Sequence, residues 1–312
     1  MADAVLKVVA AGPLVTIQDG GRPGFMRFGV AASGPMDRKA FAIANRALGN
    51  APGAPGIEIS LGGLGLDCVS GSVALALTGG GFLCQIDGAK HHAWGVFTLA
   101  AGQRLTIRPG FWGSWAYLAI AGRLQAPVWL GSVATHAPSG LGGGVLRAGD
   151  TLHIAQTEMP GRPARALPCP VWARPRQTLH AVLGPQDRYF GTATIETFAA
   201  SVFRLSAAYD RMGIRIEGPR LAPAGALSIP SQPVLRGSVQ VSGDGAATIL
   251  MADHQTTGGY PKIATILDDD LDGLAQCRPG QPIGFRLISA QEAVALARFR
   301  ARLAFGAMAA RG

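Results

Sequence analysis

From residue 57 to residue 154 the chain is a series of short apolar runs, each closed by a turn signal, and this punctuation argues against a helical bundle. Residues 73–77 are apolar throughout, as a buried strand would be, and run into Thr78-Gly79-Gly80-Gly81. Gln85-Ile86-Asp87-Gly88 carries the Asp-Gly pair that favours a two-residue hairpin turn. Residues 94–99, 104–108 and 115–120 continue the meander, and residues 140–144 and Arg147-Ala148-Gly149-Asp150 are further turns. The 44 glycines and 21 prolines are spread along all 312 residues, which suits many strands joined tightly. The expected fold is mainly β, built from barrels or sandwiches with a few short helices.

Residues 157–176 change character, with Glu158-Met159-Pro160-Gly161-Arg162-Pro163 followed by three more prolines by Pro175. That is a linker composition and predicts two domains, residues 1–160 and 175–312. Each half has a strand (73–77, 248–252) that delivers the chain into a Thr/Gly-rich loop. Each also has an Asp-Arg pair beside Met, in Met36-Asp37-Arg38 and Asp210-Arg211-Met212-Gly213. Two domains of one ancestry would explain this, and so would chance. Four helices are expected. The first enters at Ser33-Gly34-Pro35-Met36-Asp37-Arg38, with Ser33 as a cap, and stops at Gly49-Asn50. The second spans residues 186–201, interrupted at Gly191, and the third residues 268–276. The last opens on the capping box Ser289-Ala290-Gln291-Glu292.

Charge and motifs exclude several functions. The formal net charge is +9, but with only four lysines (Lys7, Lys39, Lys90, Lys262) among 28 cations, and no basic block, nucleic-acid binding is not indicated. The four cysteines are far apart and no His or Cys spacing fits a metal site, so no metal is expected. No charged leader precedes a long apolar core, and no run reaches the roughly 18 apolar residues that cross a bilayer. A cytoplasmic location without membrane contact is the expectation. No lysine follows a glycine, so a phosphate-binding G-K-[ST] loop cannot be written, and no lysine neighbours a methionine as a biotinylated one would. ATP or biotin chemistry would therefore need another polypeptide.

The polar residues collect on turns after strands and at helix starts. The richest is Asp253-His254-Gln255-Thr256-Thr257-Gly258-Gly259-Tyr260-Pro261-Lys262, between apolar runs 248–252 and 263–267. The others are Asp19/Arg22, Ser33/Asp37/Arg38, Thr78 to Gly81, and Asp210/Arg211/Arg215. Each reads either as a hydrogen-bonded turn or structural ion pair, or as part of a site. Arginines near hydroxyls and glycine-rich backbone suit an amide or carboxylate ligand. In a site, Thr78, Gly79 and Gly80 would offer N–H groups to an oxyanion. Tyr260 or Lys262 would act as acid or charge stabiliser, and Asp253 or His254 as base.

Seven motifs stand in a recognisable order. They are Thr16-Ile17-Gln18-Asp19-Gly20-Gly21-Arg22-Pro23-Gly24, Ser33-Gly34-Pro35-Met36-Asp37, Ala44-Asn45, Ile57-Glu58-Ile59, Leu77-Thr78-Gly79, Asp210-Arg211-Met212-Gly213 and Gln255-Thr256-Thr257-Gly258-Gly259-Tyr260-Pro261. With them, the chain resembles the allophanate hydrolase subunit 2 family, also called the biotin-dependent carboxyltransferase family, which includes the C subunit of the ATP-dependent 5-oxoprolinases. The resemblance implies two cyclophilin-like β-barrel domains and a site shared by the motif loops. It implies catalytic roles for Asp37, Asp253, Tyr260 and Lys262. Substrate contacts fall to Arg22, Ser33, Arg38, Asn45, Glu58, Thr78, Gly79, Asp210, Arg211, Gln255, Thr256, Thr257, Gly258 and Gly259.

The implied activity is opening of the lactam of 5-oxoproline to glutamate, with ATP bound by a partner. The implied partners are a subunit 1/B protein related to a kinase inhibitor and the lactam-utilisation protein that forms the A subunit. The alternative enzyme reading is carboxyl transfer from carboxybiotin on a separate carrier chain to urea, and regulation through a kinase-inhibitor partner is another. No covalent cofactor is implied. The chain has His254 where relatives often carry arginine, Gly80 where they commonly carry alanine, and no arginine or tyrosine in residues 131–136.

Overall fold

The computed structural model describes residues 3–157, 164–224 and 228–309, so the linker motif Glu158 to Pro163 lies outside the described residues. The chain divides into two compact units. One holds residues 1–175 and 275–278, the other residues 176–274 and 279–312.

In the first unit the short apolar runs form two sheets. A six-stranded sheet runs in the order Arg165–Ala166, Gly95–Ala100, Ser72–Gly79, Ala116–Ile120, Gly56–Ile59, Thr16–Gln18. A seven-stranded sheet has Ala4–Ala11 and Leu64–Ser70 near its middle. Side chains alternate across a strand. Val73, Leu75, Leu77, Leu118, Ile120, Ile57 and Ile59 therefore join Leu6, Val8, Leu66, Leu105 and Ile107 of the other sheet in one core. The opposite face of the six-stranded sheet carries small residues, Ala74, Ala76 and Ala119. Helix α1 (Arg38–Ala47) lies on them through Ala44, with Leu48 just beyond its end. Asp87 (φ 49°) and Gly88 (φ 81°) are both left-handed, as the hairpin turn between Leu83–Ile86 and Ala89–His91 requires.

The second unit is a closed seven-stranded barrel. Its order is Thr178–Leu183, Lys262–Ile266, Ser238–Val241, Ala247–Leu250, Gly213–Glu217, Phe203–Tyr209, Pro282–Leu287. Parallel pairing of Pro282–Leu287 with Thr178–Leu183 closes the ring, so the barrel leaves no sheet edge open. Phe198, on helix α2 (Thr192–Ala200), stacks on Phe285 at 4.2 Å and meets Phe203 at 6.3 Å. Outside the ring, Gln232–Pro233 and Thr257–Gly258 pair as a two-stranded ribbon. Helix α3 covers Asp268–Ala275 and α4 covers Ala290–Ala309.

Two helix boundaries differ from expectation, for local reasons. Asp37, not Ser33, caps α1: its Oδ1 accepts from the Ala40 N–H at 2.9 Å, while Ser33 sits at φ 54° four residues upstream. Gly191 does not interrupt a helix over 186–201. It is the N-cap of α2, and Asp187–Tyr189 form a separate 3-10 turn. The capping box is present, with Glu292 N–H donating to Ser289 Oγ (3.2 Å) and Ser289 N–H to Glu292 Oε2 (2.8 Å).

Candidate functional site

In the first unit the candidate residues gather around the start of α1. Strand register places Thr78 beside Tyr117, Tyr117 beside Glu58 and Glu58 beside Thr16, a buried polar row on the helix side of the six-stranded sheet. Three members of the row grip the helix. Glu58 Oε2 accepts from the Met36 N–H (2.7 Å), the Tyr117 hydroxyl from the Asp37 N–H (2.7 Å), and the Thr78 hydroxyl donates to the Ala40 carbonyl (2.7 Å). Asp37 Oδ2 accepts from Gln276 Nε2 (2.9 Å), and Gln276 Oε1 accepts the Ser114 and Trp115 N–H groups at 3.2 and 3.3 Å. Asp37 is thus buried and has both oxygens engaged. Arg38 is exposed on the first turn of α1. Asn45 holds the chain after the helix, with Nδ2 donating to the Ala54 carbonyl and Oδ1 accepting from Asn50, each at 3.0 Å.

The loop before α1 is held by a second set of bonds. Asp19 accepts from Gly21 N–H (2.8 Å), Ser132 Oγ (2.6 Å) and Val133 N–H (2.8 Å). Arg22 is buried, stacks over Trp129 at 4.7 Å and donates to the carbonyls of Trp129 and Ala134. Ser33 is buried with its hydroxyl unpartnered. An oxyanion role for residues 78–80 meets an obstacle. The Gly80 N–H is bonded to the Trp115 carbonyl (2.7 Å), and Gly79 belongs to the ladder opposite Ala116. Gly79 has φ 102°, and a Cβ there would lie 2.5 Å from the Trp115 oxygen, so glycine is needed for this pairing.

In the second unit the fold joins residues that lie in separate sequence clusters. Arg211 and Asp253 form a buried bidentate pair, Nε to Oδ2 at 2.8 Å and Nη2 to Oδ1 at 3.0 Å, and the Asp253 N–H donates to the Arg211 carbonyl at 2.7 Å. Asp253 therefore fixes the root of its loop rather than presenting a free base. Asp210 is exposed and receives the Met212 and Gly213 N–H groups at 2.8 and 3.0 Å, a turn-making role. His254 is buried with Nδ1 at 2.6 Å from the Gln255 carbonyl. Thr257 and Gly258 belong to the ribbon, which the Val234 N–H to Thr256 carbonyl bond (3.1 Å) extends. The Ile229 N–H donates to the Gly259 carbonyl (2.8 Å), and Tyr260 is exposed.

Lys262 is buried opposite Gln240 on the neighbouring strand. Its Nζ donates to the Pro233 carbonyl at 3.3 Å and its N–H to Gln186 Oε1 at 2.9 Å. Burial holds its pKa below the usual lysine value. Gln186 Nε2 donates to Gln232 Oε1 (2.5 Å), and Gln255 Nε2 to Gln240 Oε1 (2.9 Å). Two glutamine pairs thus flank residue 262, Gln186 holding its backbone N–H, while the buried ammonium itself can meet negative charge on a ligand or exchange a proton nearer neutrality than an exposed lysine. Of these glutamines the sequence singled out only Gln255. The others lie on distant strands and turns, and Tyr117 and Gln276 were missed for the same reason. Among the described residues no three His, Cys, Asp or Glu side chains converge as a metal would need.

Known proteins share this architecture. The chain is 37% identical over 294 residues to the 5-oxoprolinase C subunit of Escherichia coli, covering 93% of each, and 36% identical over 286 residues to that of Haemophilus influenzae, covering 91% of each. The structure of Kluyveromyces lactis urea amidolyase matches 94% of this chain at TM-score 0.83 and 27% identity, and this chain spans 19% of that longer one. Residues 28–287 match the family model of the carboxyltransferase domain, subdomain A and B, and the chain belongs to that family.

Proposed function

We propose that the chain is the C subunit of an ATP-dependent 5-oxoprolinase and binds the lactam. It would work in the cytoplasm with a subunit 1/B protein and the lactam-utilisation protein that forms the A subunit. The end-to-end likeness to the Escherichia coli C subunit, over 93% of both chains, is the observation that carries this reading. In this reading ATP drives the opening of the lactam by activating its amide carbonyl. This sequence has no phosphate loop, and the nucleotide is assigned to a partner. Lys262 is the group we assign to supply positive charge to the substrate, because a preorganised donor away from water is worth more than one in it. The loop that leads into its strand is braced at its root by Arg211 and Asp253.

The test is to combine the purified chain with both partner proteins, ATP and 5-oxoproline and to measure glutamate. Turnover that stops when this chain is left out supports the assignment. Lys262→Ala should lower turnover by about a hundredfold or more, the scale of a lost charged catalytic group. A second reading, carboxyl transfer to urea, is favoured by the family description and by 30% identity to the urea amidolyase of Lachancea kluyveri. Turnover with carboxybiotin and urea, and none with 5-oxoproline, would replace the first reading with the second.

A further inference from the structure

We propose that Gln240 and Lys262 form a two-donor cradle for a carboxylate, and that the carboxylate of the lactam substrate is its occupant. This rests on the 5-oxoprolinase reading for the identity of the occupant, not for the cradle itself. Gln240 and Lys262 lie opposite each other on adjacent strands, and both reach the Gln232–Pro233 and Thr257–Gly258 ribbon: Lys262 Nζ bonds the Pro233 carbonyl, and Gln240 Nε2 lies against Gly258. A register shift between Val239 and Gln240 interrupts the ladder just there, the usual way a strand re-aims one side chain. Gln240 is only 6% exposed and Lys262 only 3%.

The polar accounting leaves donors over. Gln240 Oε1 is taken by Gln255 Nε2, which fixes the amide's orientation and leaves Gln240 Nε2 buried with no partner. Lys262 Nζ has three hydrogens and one bond, to a neutral carbonyl. The carboxylate of Asp253 belongs to Arg211, so it offers Lys262 no counter-charge. Among the described residues the Lys262 ammonium bonds only a neutral carbonyl, and against the same ribbon the Gln240 N–H₂ has nothing to donate to; both are costly in the empty protein. A carboxylate repairs both defects, with one oxygen for each donor. A neutral amide such as urea would supply an acceptor but no charge. Gly258 makes the cradle possible, since a Cβ at that position would lie 2.3 Å from Gln240 Nε2.

With only four lysines in the chain, lysine labelled with carbon-13 at Cε gives a spectrum in which Lys262 is identified by its loss in Lys262→Arg. The full chain is titrated with propionate, with 5-oxoproline and with 2-pyrrolidinone, the same lactam ring without the carboxylate. The expected result is that both carboxylates shift the Lys262 signal and raise its titration midpoint, while 2-pyrrolidinone does neither. Gln240→Leu should weaken the carboxylates by about tenfold, the usual cost of one hydrogen bond to a charged group. Gln240→Glu, which places a carboxylate in the cradle permanently, should raise the midpoint without ligand and abolish carboxylate binding. A response to propionate but not 5-oxoproline supports the cradle and removes 5-oxoproline as its occupant. A Lys262 signal that neither carboxylate moves, or that 2-pyrrolidinone moves equally, overturns the proposal.

Discussion

Lys262 sits at odds with the stability of the empty chain. Its folded pKa lies below the ordinary value of 10.5, so between the two the unfolded chain binds more protons and stability rises with pH. Below the folded value the full penalty is present, and above 10.5 it is gone. Lys262→Met should therefore melt higher than the parent at neutral pH, with the gap closing as pH climbs through that interval, as thermal unfolding across pH would record. The opposite holds for Arg211. Arg211→Met strands the Asp253 carboxylate in the interior and should cost about 3–5 kcal/mol in urea unfolding, with Asp253→Leu in the same chain recovering part of it. The sequence displayed these residues as polar neighbours on turns, and it named Lys262, Arg211 and Asp253. It could not show that Arg211 takes Asp253, because pairing across 42 positions is set by strand register. Apart from Gln255, the glutamines near Lys262 carried no signal, since a lone glutamine is unremarkable until another strand is laid beside it.

At the level of elements, cap chemistry was readable where it is local and unreadable where it is not. The capping box of α4 and the Asp87-Gly88 turn follow from adjacent residues, and both stand. The cap of α1 fell to Asp37 because Ser33 is held in a left-handed turn, a constraint invisible in one dimension. Asp37→Ala removes the cap and the acceptor of Gln276, and should cost about 1–2 kcal/mol in thermal unfolding with the fold retained. Helix α4 has an anchor of another kind. Asp270 accepts from Arg176, from Arg300 of α4 at 2.8 Å, and from the His180 N–H at 2.7 Å. Burial pushes the Asp270 pKa up, but the bonds from His180 and Arg176 outweigh it and the net shift is downward. A carboxyl lowered from 3.8 stabilises fully above that value and loses its effect as pH falls through the folded one. Acid should loosen this anchor over that range, and Asp270→Asn should bring the loss to neutral pH, both visible as reduced helical circular dichroism.

For the whole molecule, the spacing of turn signals was enough to read a mainly β chain, because period-two burial and glycine-bearing turns are local properties. Closure of the seven-stranded barrel was not, since it depends on the parallel pairing of Thr178–Leu183 with Pro282–Leu287, about a hundred residues apart. Nor could the sequence show that residues 275–278 belong with the first unit. That assignment bears on how the protein is made. A ribosome has released the second unit up to residue 274, all but its closing strand and α4, before Gln276 emerges to meet Asp37, Ser114 and Trp115. The first unit must wait through the synthesis of about a hundred residues before the Gln276 bonds can form, and it is completed only once α3 has passed. Vectorial synthesis thus gives the N-terminal half no head start in finishing its fold.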